Sequence, residues 1–280
     1  MYHHKINTLN VATFLDLSSF GYVKFSGLKS DIEIIQNTTK NINLNSKKSY
    51  QIGDDYSYYN RIDVGFFEIY NGKKIVVYPV KGVNLNRITE VLLGFPMALC
   101  FSQRGNLVLH ASCIELNGKV IMFCGQSNSG KSTLASYGLK KGAKIYSEDI
   151  CILDSKNSVH PNCNYLKLSK EAVEMANVSE DNFIESTRGR HCYRIENKLE
   201  LNSKVDYCFF TNWGEKEEVK NMSTAETLES IYKFAYISGS KRDSAKVFSF
   251  ISSVKSLNLY ITKNVNQISE VYKQISKALN

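Results

Sequence analysis

Long apolar runs are missing from this sequence. The longest, Val91–Phe101, is interrupted by Gly94 and Pro96 and is far shorter than the roughly 20 residues that a membrane-spanning helix needs. The first residues, 1–5, lead into no apolar segment with a small-residue cleavage site, so no secretory signal is expected. We therefore expect a cytoplasmic protein that has no membrane partner.

Closely spaced cysteine pairs and clusters of basic residues are also missing. The seven cysteines include no Cys-x-x-Cys pair, and several lie in apolar runs, which predicts reduced thiols in a core. The formal net charge is +8, but the 35 Lys and Arg are scattered along the chain, which argues against a nucleic-acid partner. A positive excess of this size favours an acidic peptide or protein partner.

What the sequence does contain is a segment typical of phosphate binding. It consists of Gly125, Gln126, Ser127, Asn128, Ser129, Gly130, Lys131, Ser132 and Thr133. The glycines allow backbone N–H groups to turn toward phosphate oxygens, and the dipole of a following helix adds to the attraction. Lys131 can then reach the β- and γ-phosphates, and the Ser132 hydroxyl can complete the shell of a Mg²⁺ ion. We expect ATP and Mg²⁺ as the ligands of this segment.

The flanks of this segment have the order that a phosphate-binding loop requires. Residues 119–124 are an apolar run typical of a buried strand, and residues 132–141 predict a helix. Residues 107–116 predict a partner strand, joined to the first by Asn117 and Gly118, a pair typical of a type I′ turn. The alternative is a glycine turn that binds no ligand, but the strand–loop–helix order favours phosphate binding.

Two adjacent carboxylates, Glu148 and Asp149, follow the next predicted strand. Asp149 lies only 18 residues after Lys131, so a single helix crossover would place both carboxylates beside the loop. One of them can hold Mg²⁺ and the other can accept a proton. We expect Ser132 and Asp149 to bind Mg²⁺ and Glu148 to act as the base, and the reverse assignment stays open. A solvated turn is the alternative without function.

His110, Arg188 and Arg190 are further candidate catalytic residues. His110 lies on the strand that is predicted to pair with the strand before the loop, which would bring it close to a nucleotide. Arg188 and Arg190 lie in a polar segment, residues 179–194, that could form a mobile loop and contribute an arginine to the transferring phosphate. The alternatives are that His110 is an ordinary buried polar residue and that Arg188 and Arg190 lie in a surface segment without a function.

The remaining chain predicts a β-rich N-terminal domain with a linking helix, residues 1–104, followed by a kinase-like domain, residues 105–280. Within the first, Asn71 and Gly72 indicate a hairpin, and a helix over residues 84–104 should break at Pro96. That aromatic-rich hairpin could offer an edge strand to an extended acceptor peptide. The alternative is that this sheet only covers the core or forms a homo-oligomer interface.

The order of these motifs resembles the HPr kinase/phosphorylase family and its smaller relatives, which include kinases of ribosomally made peptides such as lasso-peptide precursors. The residues that carry the resemblance are Leu109–Ser112, the Asn-Gly hairpin, Gly125–Thr133 and Tyr146–Asp149. The resemblance implies an α/β fold with a P-loop core like that of phosphoenolpyruvate carboxykinase, use of ATP and Mg²⁺, and an active site lined by His110, Glu148 and Asp149. Glu148 stands where the family has a first aspartate. The family's glycine-rich substrate signature is poorly matched by residues 185–190, which favours an acceptor other than HPr.

The function that fits these observations is transfer of the γ-phosphoryl group of ATP to a serine or threonine hydroxyl of a peptide or protein. By the resemblance, the acceptor could be a ribosomally made precursor peptide. One alternative is a nucleotide-binding switch or NTPase that acts through a partner. Another is a small-molecule kinase.

Overall fold

The computed structural model describes residues 1–27, 29–37, 49–162, 164–176, 178–187, 190–195 and 202–279. The strands are β1 (Tyr2–Ile6), β2 (Leu9–Thr13), β3 (Ile32–Gln36), β4 (Tyr50–Gln51), β5 (Tyr56–Arg61), β6 (Gly65–Tyr70), β7 (Lys74–Pro79), β8 (Leu107–Leu109), β9 (Ala111–Leu116), β10 (Lys119–Cys124), β11 (Lys144–Ser147), β12 (Cys151–Leu153), β13 (Ser158–Val159), β14 (Tyr165–Leu168), β15 (Phe183–Thr187), β16 (Arg190–Arg194), β17 (Ser203–Lys204), β18 (Tyr207–Trp213), β19 (Glu218–Asn221) and β20 (Lys255–Ile261). The helices are α1 (Leu85–Leu92), α2 (Phe95–Gln103), α3 (Lys131–Lys140), α4 (Lys170–Ala176), α5 (Thr224–Phe234), α6 (Lys241–Ile251) and α7 (Ile268–Leu279).

The N-terminal strands form a mixed sheet with the order β1-β2-β3-β7-β6-β5-β4. β6 and β7 pair antiparallel around Asn71 and Gly72, whose φ angles of 52° and 62° fit the predicted type I′ turn. β7 also pairs in parallel with β3, so it lies inside the sheet. β6 pairs on its other side with β5, so neither hairpin strand is an edge, and the suggestion that the hairpin offers an edge strand to a peptide is wrong. Of the strands described, β1 and β4 are outermost.

Helices α1 and α2 cover this sheet where the sequence predicted a helix with a break. Asn84 caps α1 by accepting a hydrogen bond from the Asn86 N–H at 2.8 Å. The chain turns at Gly94, and Pro96 then lies in the first turn of α2, where its missing N–H removes no helical hydrogen bond. The break is therefore confirmed, two residues before the proline.

The core beneath these helices continues past residue 104. Val108, Ile150, Ile152 and Tyr165 belong to the same buried cluster as the N-terminal strands, α1 and α2. The predicted N-terminal unit therefore packs directly on the following part of the chain. The domain boundary at residue 104 stays a prediction.

A second sheet, with the order β11-β9-β10-β18-β20-β19, carries the glycine-rich loop. β10 pairs antiparallel with β9 through the turn at residues 117–118 and in parallel with β18. Along β10, Ile121 and Phe123 share a core with α3 and α7, whereas Val120 and Met122 share a core with α5 and α6. Both faces of the sheet are therefore covered by helices, which makes this part a mixed α/β layered structure.

Two smaller sheets, with the orders β17-β13-β12-β8 and β14-β16-β15, complete the described structure. β15 and β16 pair antiparallel, so the interpretation of residues 179–194 as a mobile loop is wrong for the described strand residues. The capping box predicted at Ser223 is confirmed, because Ser223 and Glu226 bond reciprocally at the start of α5. None of the helices in the described ranges is both long and apolar enough to cross a bilayer.

Candidate active site

The first residues of the loop between β10 and α3 pack closely against β18. A side chain at Gly125 would collide with Thr211 Oγ1 and Ser129 Oγ, so this position requires glycine. The Ser129 and Thr211 hydroxyls lie 2.6 Å apart, and Thr211 donates to the carbonyl of Cys124 at 3.0 Å. These bonds tie the loop to β18, the neighbouring parallel strand.

The loop ends at Gly130, directly before the N-terminus of α3. Gly130 has a φ of 89° and precedes the helix, and the first helical hydrogen bond runs from Leu134 N to Gly130 O at 2.8 Å. The N–H groups of Lys131, Ser132 and Thr133 precede that bond, so they have no acceptor within the helix. They and the helix dipole form an anion cradle, and this donor set fits a polyphosphate.

Lys131 lies over the loop rather than in solvent. Its ammonium group donates to the carbonyls of Gly125 at 3.0 Å and Gln126 at 2.8 Å. Burial lowers the pKa of the Lys131 ammonium, and the negative charge of Asp149 opposes that shift. Arg190, on β16, donates to Asn128 Oδ1 at 3.0 Å, so the loop is flanked by two cations. Arg188 lies outside the described residues.

His110 and Asp149 meet because the chain crosses between two sheets at two adjacent places. His110 lies between β8 and β9, which belong to different sheets. Residues 148–150 lie between β11 and β12, which also belong to different sheets. Since β8 pairs with β12 and β9 pairs with β11, the two crossings lie side by side. His110 Nε2 is 3.1 Å from Asp149 Oδ1. Asp149 has a φ of 70°, which turns the chain sharply there.

A lysine that the sequence did not single out as a site residue completes this contact. Lys167, on β14, donates to Asp149 Oδ2 at 3.2 Å, and its ammonium is 3.7 Å from Glu90 Oε1 on α1. The Lys167 side chain is 13% exposed, whereas that of Asp149 is 41% exposed. The lysine is therefore held beneath the carboxylate, whose free face is toward solvent.

Glu148 has a different partner. The Ser132 hydroxyl donates to Glu148 Oε1 at 2.5 Å, so the serine of the loop bonds Glu148 and not Asp149. In P-loop enzymes the carboxylate that accompanies the loop serine shares the Mg²⁺ ion. The geometry therefore favours Ser132 and Glu148 as the pair suited to a metal, the reverse of the sequence-based assignment. Both supply hard oxygen atoms of the kind that Mg²⁺ prefers.

The two carboxylates also differ in acidity. Burial, together with the neighbouring charge of Asp149, raises the pKa of Glu148. Partial burial opposes ionisation of Asp149 as well, but the charge of Lys167 and the hydrogen bond with His110 outweigh it and hold the pKa of Asp149 well below its usual range. Asp149 is therefore an ionised hydrogen-bond acceptor at neutral pH.

Two cavities meet at Asp149. The loop cavity, of about 230 Å³, is lined by Asn128, Gly130, Lys131, Ser132, Thr133, Ser169, Arg190 and Trp213. The aromatic cavity, of about 450 Å³, is lined by Tyr50, Ile52, Tyr59, Arg61, Arg87, Glu90, Val91, Gly94, Phe95, Lys167, Lys233, Phe234, Ala235 and Tyr236. Both are also lined by His110, Ser127 and Asp149, and neither by Glu148.

The structure thus brings together the loop, His110, both carboxylates and Arg190, as predicted, and adds Lys167, Glu90 and Tyr236. Tyr236 lies near the site because residues 234–236 run beside β8. His110 N donates to Phe234 O at 2.8 Å, and Tyr236 N donates to Val108 O at 2.9 Å. No sequence pattern marks these added residues. Their contacts join segments far apart in the chain.

Comparison with known proteins gives little further information. No family model and no curated protein matches the chain. Among solved structures, the Hpr(Ser) kinase/phosphatase from Coxiella burnetii is similar at a TM-score of 0.29 and 9% sequence identity, over 61% of this chain and 95% of that one. A likeness this distant carries no information about function.

Proposed function

We propose that this protein is a kinase that transfers the γ-phosphoryl group of ATP to a serine or threonine hydroxyl of a peptide or protein. The observation that carries the proposal is the position of Asp149. It lines both the anion-binding loop cavity and the larger aromatic cavity, so it can contact an acceptor while a nucleotide occupies the loop. A transfer reaction needs such a junction, whereas hydrolysis alone needs room only for water.

The loop cavity would hold the nucleotide. The N–H groups at the start of α3 bind phosphate oxygens, and Lys131 and Arg190 contribute positive charge around them. Ser132 and Glu148 would hold Mg²⁺, which when bound neutralises the charge on the phosphate oxygens. Lys131 can leave the loop carbonyls for the phosphates because its flexible stem allows the ammonium to swing.

Asp149 would receive the acceptor. Its ionised carboxylate accepts a hydrogen bond from the acceptor hydroxyl, while Lys167 and His110 fix its orientation. The acceptor oxygen forms a bond to the γ-phosphorus as the bond from that phosphorus to the β–γ bridging oxygen breaks. The hydroxyl proton passes to Asp149, and ADP leaves.

The test is incubation of the protein with γ-labelled ATP and Mg²⁺, with and without the peptides encoded beside its gene. We expect label on a serine or threonine of a peptide, and none when Mg²⁺ is removed by a chelator. Release of labelled phosphate without labelled peptide would instead support the nucleotide-dependent switch. Label on a small molecule in a cell extract would support a small-molecule kinase.

A further inference from the structure

The aromatic cavity contains a cluster of rings centred on Phe95. The ring of Phe95 stacks on Tyr59 at 4.7 Å, lies 5.2 Å from Tyr50 and meets Tyr236 edge-on at 5.1 Å. Tyr50 is half exposed, so the cluster reaches the protein surface. Tyr236 and Asp149 line the same cavity, so the ring cluster and the carboxylate face one space.

The cavity is also lined by paired charges. Asp63, which is not among the lining residues, pairs with Arg61 at 3.0 Å and with Arg87 at 3.4 Å, and Arg87 pairs with Glu90. Glu90 then contacts Lys167, which contacts Asp149. Arg61 and Asp149 both line the cavity, whose volume of about 450 Å³ exceeds the space that a single hydroxyl-bearing side chain would fill.

Cations outnumber anions in the lining of the cavity. The lining residues include the cations Arg61, Arg87, Lys167 and Lys233, against the anions Glu90 and Asp149. Both anions are already paired with cations of the wall, as the preceding contacts show. Lys233 is exposed, and in the described parts of the chain it has no carboxylate within ion-pairing distance. Its ammonium lies 5.6 Å from the ring of Phe234.

We propose that the aromatic cavity binds an extended acidic peptide as the phosphoryl acceptor. The acceptor hydroxyl lies at Asp149, an apolar or aromatic side chain of the peptide packs on the rings around Phe95, and a carboxylate of the peptide pairs with the exposed Lys233. This assignment rests on the proposed kinase function. It gives the N-terminal sheet and α1 a role in selecting the acceptor through side chains in a cavity, not through a strand edge.

The test is transfer from ATP to a nonapeptide library with a fixed central serine and one varied flanking position at a time. We expect the protein to select aspartate and glutamate at one or more flanking positions. Lys233→Glu should raise the KM for the selected acidic peptide by about tenfold, as expected for reversal of an exposed charge, and by more than any change in the KM for ATP. Tyr50→Ala should raise it by a few-fold. Both substitutions affect exposed side chains, so the fold should persist.

Lys241→Glu is the matched control, because Lys241 is exposed on the adjacent helix α6 and does not line the cavity. Equal transfer to acidic and basic peptides, or equal effects of the two charge reversals, would overturn the acidic-peptide assignment and leave the kinase proposal intact.

Direct binding separates the two proposals. A fluorescein-labelled nonapeptide with a central serine flanked by glutamates should bind the wild-type protein, and Lys233→Glu should weaken that binding. Binding that depends on Lys233 without any transfer would support the cavity assignment and reject the kinase. Absence of both binding and transfer would reject both.

Discussion

The loop cavity and the aromatic cavity share His110, Ser127 and Asp149 but are built in different ways. The loop cavity is formed mainly by one continuous segment, residues 128–133, whose backbone N–H groups act at the start of a helix. The aromatic cavity is formed by side chains from segments around residues 50–61, 87–95 and 233–236, with Lys167. A site made of backbone can be encoded locally, whereas a site made of side chains depends on how distant segments pack.

The largest expected effect tests whether Asp149 serves the acceptor and Glu148 the nucleotide. Asp149→Asn should lower kcat by about 10²–10⁴-fold with little change in ATP affinity, because the acceptor hydroxyl loses its proton acceptor. Glu148→Gln should instead raise the Mg²⁺ concentration needed for half-maximal rate. Rates and nucleotide affinities across a Mg²⁺ titration measure both. The opposite pattern would restore the sequence-based assignment, and two unaffected variants would make the pair an ordinary turn.

Lys131→Ala tests whether the loop cavity holds the phosphates of the nucleotide. Loss of this ammonium should reduce transfer by about 100-fold or more, since a preorganised charge at the phosphates is removed. Thermal unfolding and circular dichroism should show that the variant remains folded. The control is Lys141→Ala just past the other end of α3, where the lysine side chain is exposed and its ammonium lies 5.5 Å from the centre of the Tyr137 ring. Full transfer by folded Lys131→Ala would contradict the loop assignment.

Lys167→Met tests whether the lysine beneath Asp149 sets its acidity. Without the neighbouring positive charge, the pKa of Asp149 rises toward its usual range. Since Asp149 must be ionised, the acid limb of the kcat–pH profile should move to higher pH, so kcat should fall by about tenfold or more at acidic pH and change little at neutral pH. Lys167→Arg should partly restore the wild-type profile because it keeps the charge. A lower rate with an unmoved profile would indicate that Lys167 is only structural.

Arg190→Ala has the smallest expected effect. Its guanidinium bonds Asn128 at the edge of the loop, so its loss should raise the KM for ATP by about tenfold or less while kcat is nearly retained. Steady-state kinetics with varied ATP measure the two constants separately. A fall in kcat of about 10³-fold would instead assign Arg190 to direct stabilisation of the transferring phosphoryl group.

Local sequence rules predicted the elements whose conformation depends on a few neighbouring residues. The Asn71-Gly72 and Asn117-Gly118 turns, the break before Pro96 and the Ser223 capping box are of this kind, because each is fixed by φ angles or by missing N–H groups within one turn. The strand–loop–helix order around Lys131 was predicted for the same reason.

The placement of the other site residues came only from tertiary structure. A pattern of short strands does not state that β7 is internal, that β15 and β16 pair, or that residues 234–236 run beside β8. The sequence also does not show which of the adjacent residues Glu148 and Asp149 bonds Ser132. That is decided by the turn at Asp149, which directs the two carboxylates to different partners.

By itself, the sequence determined a glycine-rich loop between a strand and a helix, with two carboxylates and a histidine available nearby, because those features depend on spacing along the chain. Tertiary structure alone decided that Glu148 bonds Ser132, that Lys167 and His110 bond Asp149, and that a second cavity meets the loop cavity there. The physical reason is that ionisation and cavity shape depend on charges and side chains within a few ångströms, whichever segment of the chain supplies them.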